Sequence, residues 1–213
     1  MNDIKEISNK VYAFINKHKL FTLKDKLLIG VSGGSDSIFL CEILHHLNYD
    51  ISIAHFNFQL RSKESEKDEA FVRKYASDKN IHVFINKANT NEYAINNKLS
   101  IQEAARKLRY NWFNELKNKK GFNNILTAHH ADDNVETMLY NFIKGSGLKG
   151  IKGMPIINKE VARPLLCLSK QEILRFLNNN NISYRDDSSN DDTKYKRNFI
   201  RHKLMPLISE INP

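Results

Sequence analysis

Residues 27–32 (LLIGVS) form an unbroken apolar run, and Ser32, Gly33, Gly34, Ser35, Asp36 and Ser37 follow at once, before a helical pattern over residues 35–47. A strand that enters a helix through a glycine pair is a strong constraint. The backbone can approach a ligand closely, free N–H groups at the helix start point at an anion, and the hydroxyls add donors. Pyrophosphate fits such a nest. The loop is not a G-x-x-x-x-G-K-[ST] phosphate loop, nor the G-x-G-x-x-G turn of dinucleotide-binding folds. An ordinary tight turn capped by Ser or Asp is the competing reading of the glycine pair alone. Asp36 shifts the balance, because a carboxylate beside a phosphate nest is repulsive unless Mg²⁺ lies between them.

The alternation continues along the chain. Residues 51–56 and 81–85 read as strands, residues 62–79 as a charged helix between them, 124–128 as a further strand and 131–144 as a helix. Ser100 and Glu103 form a capping box, followed by an apolar stripe of Ile101, Ala105, Leu108, Trp112 and Leu116. Short strands alternating with helices predict an α/β fold: a Rossmann-like parallel sheet in three layers, with ligands at the carboxyl ends of the strands. The pattern fades after Gly145, into a glycine-rich loop, a short apolar piece at 163–168, a helix near 169–177, a polar loop and a basic helix from about Thr193. The expected division is therefore residues 1–155 for the sheet domain and 156–213 for a helical extension. The last residues, up to Pro213, form no clear terminal element, as in a piece of something longer.

Composition removes other classes. No apolar run approaches the ~18–20 residues of a membrane span, and residues 1–20 carry both signs of charge with Ile4, Ile7, Val11, Phe14 and Ile15 at helical spacing, unlike a signal peptide. Cys41 and Cys167 are the only cysteines, which excludes a disulfide scaffold and a Cys-rich zinc site and suits a reducing, cytoplasmic setting. Seven of the eight glycines sit in two clusters, around 30–34 and 145–153, so glycine is used where the backbone has a special task; Gly121 reads as a helix C-terminus. The net charge is +9, and Lys194, Lys196, Arg197, Arg201 and Lys203 contribute five positive charges within ten residues that hold no acid. With Tyr195 and Phe199 between them, these cations can neutralise phosphates while a ring stacks on a base. Asp187, Asn190 and Asp192 are alternative partners for Arg197 and Arg201.

Asp132, Asp133 and Glu136 follow His129 and His130 at the start of a helix, and their spacing puts them on one face. Acids complementing a helix dipole are the simpler explanation. Three together at the end of a strand fit better with Mg²⁺ ligation or recognition of an ammonium group. Arg106 and Arg109, at i and i+3, read as solvated arginines by default.

Residues 32–37 (SGGSDS) resemble the SGGxDS loop of the N-type ATP pyrophosphatases, which cleave ATP between its α- and β-phosphates and leave an adenylated intermediate. Residues 55–61 (HFNFQLR), 103–110 (EAARKLRY), 127–137 (TAHHADDNVET), 145–154 (GSGLKGIKGM), 163–166 (RPLL), 187–190 (DSSN) and 197–201 (RNFIR) narrow the resemblance to the tRNA(Ile)-lysidine synthetase family, in the family's order over roughly residues 25–206. The resemblance implies a ligase that joins lysine to C2 of the wobble cytidine of tRNA(Ile) with a CAU anticodon, consuming ATP with Mg²⁺. It implies that residues 32–37 hold pyrophosphate with Mg²⁺ at Asp36. Asp133 and Glu136 would then receive free L-lysine, and Arg106 and Arg109 the ATP phosphates or the adenylated base. His55 would belong to the nucleotide pocket and residues 145–154 to a substrate-contacting loop at the mouth of the site. Phe58 departs from the pattern, standing where a second histidine is usual, so that histidine's role lapses. Family members usually continue into C-terminal domains that grip the acceptor stem. The implied setting is cytoplasmic, without a membrane, and a homodimer is admitted. Two rivals stand beside this: a tRNA thiolase of the same fold, which needs reactive cysteines, and a non-catalytic RNA-binding remnant.

Overall fold

A computed structural model describes residues 2–61, 63–185 and 196–211. The chain opens with helix α1 (Asn2–Lys17) and then alternates β1 (Lys26–Gly30), α2 (Ser35–His46), β2 (Asp50–Asn57), α3 (Lys63–Asp78) and β3 (His82–Lys87). Helices α4 (Thr90–Asn96) and α5 (Ile101–Lys120) lead to β4 (Asn124–Leu126), α6 (Ala131–Ile143) and α7 (Gly147–Ile151). A hairpin of β5 (Ile157–Asn158) and β6 (Val161–Ala162), a 3₁₀ turn (Pro164–Cys167) and α8 (Lys170–Asn179) follow. After the undescribed residues 186–195 come α9 (Lys196–Phe199), a π-helical turn (Ile200–Leu204) and α10 (Met205–Ile211).

The sheet order is β3-β2-β1-β4-β6-β5, parallel except for β5. Leu28 of β1 lies opposite Ser52 on one side and Ile125 on the other. The connections run outward from β1 to β3 and then return to place β4 on the opposite side of β1. That reversal opens a crevice between the carboxyl ends of β1 and β4, where a ligand settles in such sheets.

Side-chain alternation along β1 divides the core. Leu27 and Ile29 pack in the larger cluster with Ile38, Leu44 and Phe176, whereas Leu28 packs on the other face with Phe113, Leu116 and Ile125. Each fully buried aliphatic side chain of this kind is worth ~1.5–3 kcal/mol. Phe39 and Phe176 meet edge to face with ring centres 5.0 Å apart, which fixes α8 on α2. Thus, beyond residue 155, β5 and β6 extend the same sheet, and β6 and α8 bury residues in the same core.

Several expectations need correction. The face that α5 buries is Ala104, Phe113 and Leu116; Ala105, Leu108 and Trp112 are half-buried and Ile101 is exposed. The cause is Gly30: a Cβ there would lie 2.7 Å from the Phe113 ring, so the missing side chain makes the slot that Phe113 fills. Helix α4, absent from the expected pattern, is held by caps rather than by an apolar face: Asn89 accepts from the Glu92 N–H, and Thr90 Oγ1 donates to the Phe58 carbonyl at 2.8 Å. The two-residue strands β5 and β6 are too short to produce a period. The glycine-rich segment 145–154 contains α7 and lies against α6, where Asn134 accepts from the Met154 N–H and Asn141 donates to the Gly150 carbonyl. The expected start of the basic helix near Thr193 lies outside the described residues. Gly121 does close α5, with φ 72°.

Candidate active site

The phosphate-loop candidate sits at the crevice. Gly33 adopts φ +98°, a conformation that residues with a Cβ rarely take. Gly34 caps α2 without a side-chain hydrogen bond. The Gly33 N–H donates to Ser37 Oγ and the Gly34 N–H to Ser32 Oγ, each at 3.3 Å, long bonds that a phosphate oxygen can take over. Ser37 Oγ itself donates to the Gly34 carbonyl at 2.9 Å. A strap beyond α8 crosses the loop: the Arg185 N–H donates to the Gly33 carbonyl at 2.9 Å, and its guanidinium pairs with Asp68 and Glu64.

The loop faces a cleft of about 780 Å³. Lys170, which sequence reasoning missed, reaches into it from the first position of α8. Its Nζ lies 2.6 Å from Ser35 Oγ and 2.5 Å from Asp36 Oδ1. The Lys170 N–H donates to Asp132 Oδ2 at 2.8 Å, tying the starts of α6 and α8 together. One local signal existed: Ser169 and Glu172 form a capping box, and a lysine immediately inside it opposes the helix dipole, which calls for an anion nearby. Arg185 carried no comparable mark.

Two of the three acids, Asp133 and Glu136, share an unexpected occupant. Asp133 caps α6 by accepting from the His130 N–H, and Glu136 is buried. Arg201 donates to Glu136 through Nε at 2.5 Å and through a terminal nitrogen at 3.0 Å, and to Asp133 at 3.2 Å. Burial alone would lower the pKa of Arg201, but the hydrogen bonds and charge of Glu136, with Asp133 and Asp36 behind it, hold it above the ordinary value. Arg201, expected on an RNA-facing surface, turns inward, because the buried Glu136 carboxylate, with the half-buried Asp133 beside it, needs a counter-charge. The buried His130 ring lies within 3.4–3.7 Å of Asp36, Asp132 and Asp133, joining the phosphate loop to the acids.

The other expected residues separate. Arg109 lines the main cleft with its Nε buried and without a partner, whereas Arg106, one turn earlier, lines a neighbouring cleft. The two guanidiniums nonetheless share the Tyr110 ring, 4.7 and 5.2 Å from its centre. His55 is buried behind the loop, its Nδ1 2.9 Å from the Val31 carbonyl, and burial lowers its pKa. It does not line the cleft, whereas Phe58 does. Among the described residues, none of 145–154 lines the cleft. Lys203 is exposed; Lys196 and Arg197 have only their backbone described, and Lys194 lies outside the described residues.

The donor set fits Mg²⁺ only with help from a ligand. Among the described residues no group of three or more His, Cys, Asp or Glu side chains is arranged to hold a metal ion. Mg²⁺ commonly takes one or two carboxylates and completes its octahedron with phosphate oxygens and water. Asp36, with Lys170 now on it, matches that partial site. The cysteines do not suit sulfur chemistry: Cys41 is fully buried, which raises its pKa, and burial pushes the Cys167 thiol up to about 11. Among the described residues no helix is long and apolar enough to cross a membrane.

Known proteins match most of this chain. Residues 4–208 match the model of a PP-loop domain family. The tRNA(Ile)-lysidine synthase of Bacteroides thetaiotaomicron is 45% identical over 207 residues, 97% of this chain and 49% of the relative. That of Petrotoga mobilis is 39% identical over 214 residues, 99% of this chain and 68% of the relative. The chain thus spans about half the length of the first of these relatives and about two thirds of the second. Among solved structures, the U34-tRNA thiolase of Methanococcus maripaludis superposes with TM-score 0.69 at 20% identity, over 86% of this chain and 65% of that one. The NH3-dependent NAD synthetase of Campylobacter jejuni superposes with TM-score 0.58 at 15% identity, over 95% of this chain and 87% of that one, and both share the fold. By sequence match and by relatives of this identity and coverage, the chain belongs to the PP-loop family and, within it, to the tRNA(Ile)-lysidine synthase family.

Proposed function

We propose that the protein is an ATP-dependent ligase that joins the ε-amine of free lysine to C2 of the wobble cytidine in the CAU anticodon of tRNA(Ile), acting in the cytoplasm. The observation that carries this reading is the Asp133–Glu136 pair gripping a guanidinium at 2.5–3.2 Å beside the phosphate loop. A site that holds one long cationic side chain there has the charge and depth to hold another, the ammonium end of lysine.

The chemistry divides into two displacements. The C2 oxygen of cytidine attacks the α-phosphorus of ATP, the bond to the β-phosphate oxygen breaks, and pyrophosphate leaves into the nest of Gly33, Gly34 and the hydroxyls of Ser32, Ser35 and Ser37. The lysine amine then attacks C2, and AMP departs with the oxygen. Only the neutral amine is a nucleophile, so Asp133 or Glu136 first holds the ammonium and then takes its proton. Lys170 is placed to move from Asp36 to a departing phosphate oxygen, and Arg109, whose Nε has no partner, lines the same cleft. Mg²⁺ held by Asp36 and the phosphates would neutralise charge on the leaving group. The remaining work of the protein is to align the amine behind C2 and exclude water.

The test is incubation with ATP, Mg²⁺, labelled lysine and unmodified tRNA(Ile) carrying CAU. Lysine in the RNA, with one AMP and one pyrophosphate released per lysine, is expected. An unlabelled RNA overturns the ligase reading, and sulfur incorporation from a thiol donor would replace it.

A further inference from the structure

Beside the main cleft, a second one of about 590 Å³ runs along the crease between α5 and the β5–β6 hairpin. Arg106, Lys107 and Tyr110 line one wall, and Lys159 and Arg163 the other. Its two acids are committed elsewhere: Glu103 to the Ser100 N–H and hydroxyl, and Glu160 to Lys117 at 2.9 Å. Among the described residues, none of its four cations has a carboxylate partner.

The wall is also under-satisfied. Arg163 is only 4% exposed; one terminal nitrogen donates to the Pro155 carbonyl at 2.7 Å, while its Nε has no partner. The Tyr110 hydroxyl is buried too, with the Arg109 guanidinium its neighbour. Folded proteins rarely leave buried charged donors in that state, and here a second guanidinium lies nearby, adding repulsion. The Arg106 guanidinium carbon stands 4.7 Å from the Tyr110 ring centre, a cation–π contact. Burial, and the charge of Arg106, lower the Arg163 pKa, an effect that an anion in the crease would reverse.

We propose that this crease is a second anion site that takes a phosphodiester of the RNA substrate, flanking the nucleotide presented to the main cleft. The assignment rests on the RNA-ligase reading. A phosphodiester is favoured over a free anion because the two clefts adjoin along one helix: Arg109 lines the main cleft and Arg106, one turn away and ~5–6 Å between Cβ atoms, lines the crease, so one continuous strand meets both. Lys107 and Lys159 at the rim add attraction for a polyanion.

The experiment measures binding of an anticodon stem-loop RNA carrying CAU across a salt series, with inorganic phosphate as the small-anion probe. Arg106→Gln and Arg163→Gln are each expected to weaken RNA binding about tenfold and to flatten the dependence of log K on log salt by about one. Arg106 is exposed, so its variant keeps the test valid if Arg163→Gln fails to fold. Lys119→Gln removes a charge from the same helix outside the crease and should change neither quantity. RNA binding unmoved by Arg106→Gln, or weakened equally by Lys119→Gln, overturns the subsite while leaving the ligase reading intact. Phosphate binding lost in Arg106→Gln with RNA binding unchanged reassigns the crease to a small anion. A wild-type chain that binds no RNA removes the subsite and the ligase reading together.

Discussion

At the scale of single residues, the site is held by charges that wait on one another. Glu136 is buried and depends on Arg201, so removing the guanidinium leaves a buried carboxylate without its counter-charge. Arg201→Gln should cost about 2 kcal/mol of stability, less than for a wholly buried pair because the arginine is partly exposed, and the Glu136→Gln/Arg201→Gln double variant should recover part of it; chemical denaturation of the four-member cycle measures the coupling. If Glu136 also receives the lysine amine, Glu136→Gln alone should lower lysine transfer ~100-fold or more while pyrophosphate release in the first step changes little. At the loop, Asp36→Ala should slow pyrophosphate release on the order of 100-fold, and unchanged release would refute its proposed role at Mg²⁺. These contacts mark where reading the chain stopped short. The three acids were recognisable from their spacing, but the partner of Glu136 is 65 positions away and that of Asp36 is 134 positions away. Nothing in local periodicity selects Arg201 from the five cations of its segment; only burial of the acids does.

At the scale of elements, Gly30 and Phe113 determine how α5 sits. The alternation of strands and helices was legible because buried parallel strands are continuous apolar runs, and eight of the main elements lie within two residues of their expected bounds. The α5 stripe was misplaced because a helical wheel ranks residues by hydrophobicity and does not see a glycine on a facing strand. Gly30→Ala puts a methyl group 2.7–2.8 Å from two ring carbons of Phe113, a buried side chain that cannot swing out of the way. It should destabilise the protein by about 1–3 kcal/mol, seen as a lower urea midpoint with an unchanged slope. Since Phe113 and Arg109 both line the main cleft from α5, the same substitution should also weaken ATP binding, and Gly30→Ala with full stability would show that α5 is free to shift. The short elements α4, β5 and β6 escaped notice for a different reason: they are stabilised by caps and by neighbours in the sheet, which leave no periodic trace.

For the whole molecule, the excess of positive charge makes the buried carboxylates important for acid stability. Glu69 of α3 joins three elements: Asn57 of β2 donates to it at 3.0 Å, Lys87 of β3 pairs with it at 2.9 Å, and Arg73 holds it from its own helix at 3.0 Å. Burial by itself would raise its pKa, but the hydrogen bonds from Lys87, Asn57 and Arg73 outweigh that and hold it at about 2, against 4.5 for the free side chain. A carboxyl depressed in the folded state binds its proton more readily when unfolded. Its stabilisation is therefore complete above about pH 4.5 and is lost as the pH falls toward 2. The net charge of +9 at neutrality grows as other carboxyls protonate in the same range, and self-repulsion steepens the loss. Glu69→Gln should cost about 1–2 kcal/mol at pH 7, since the amide keeps part of the hydrogen bonding, and should flatten the decline of unfolding free energy between pH 5 and 2. Urea denaturation of both proteins at stepped pH measures this. Parallel curves for wild type and variant would place the acid sensitivity elsewhere, with Glu136 and its guanidinium the next network to test.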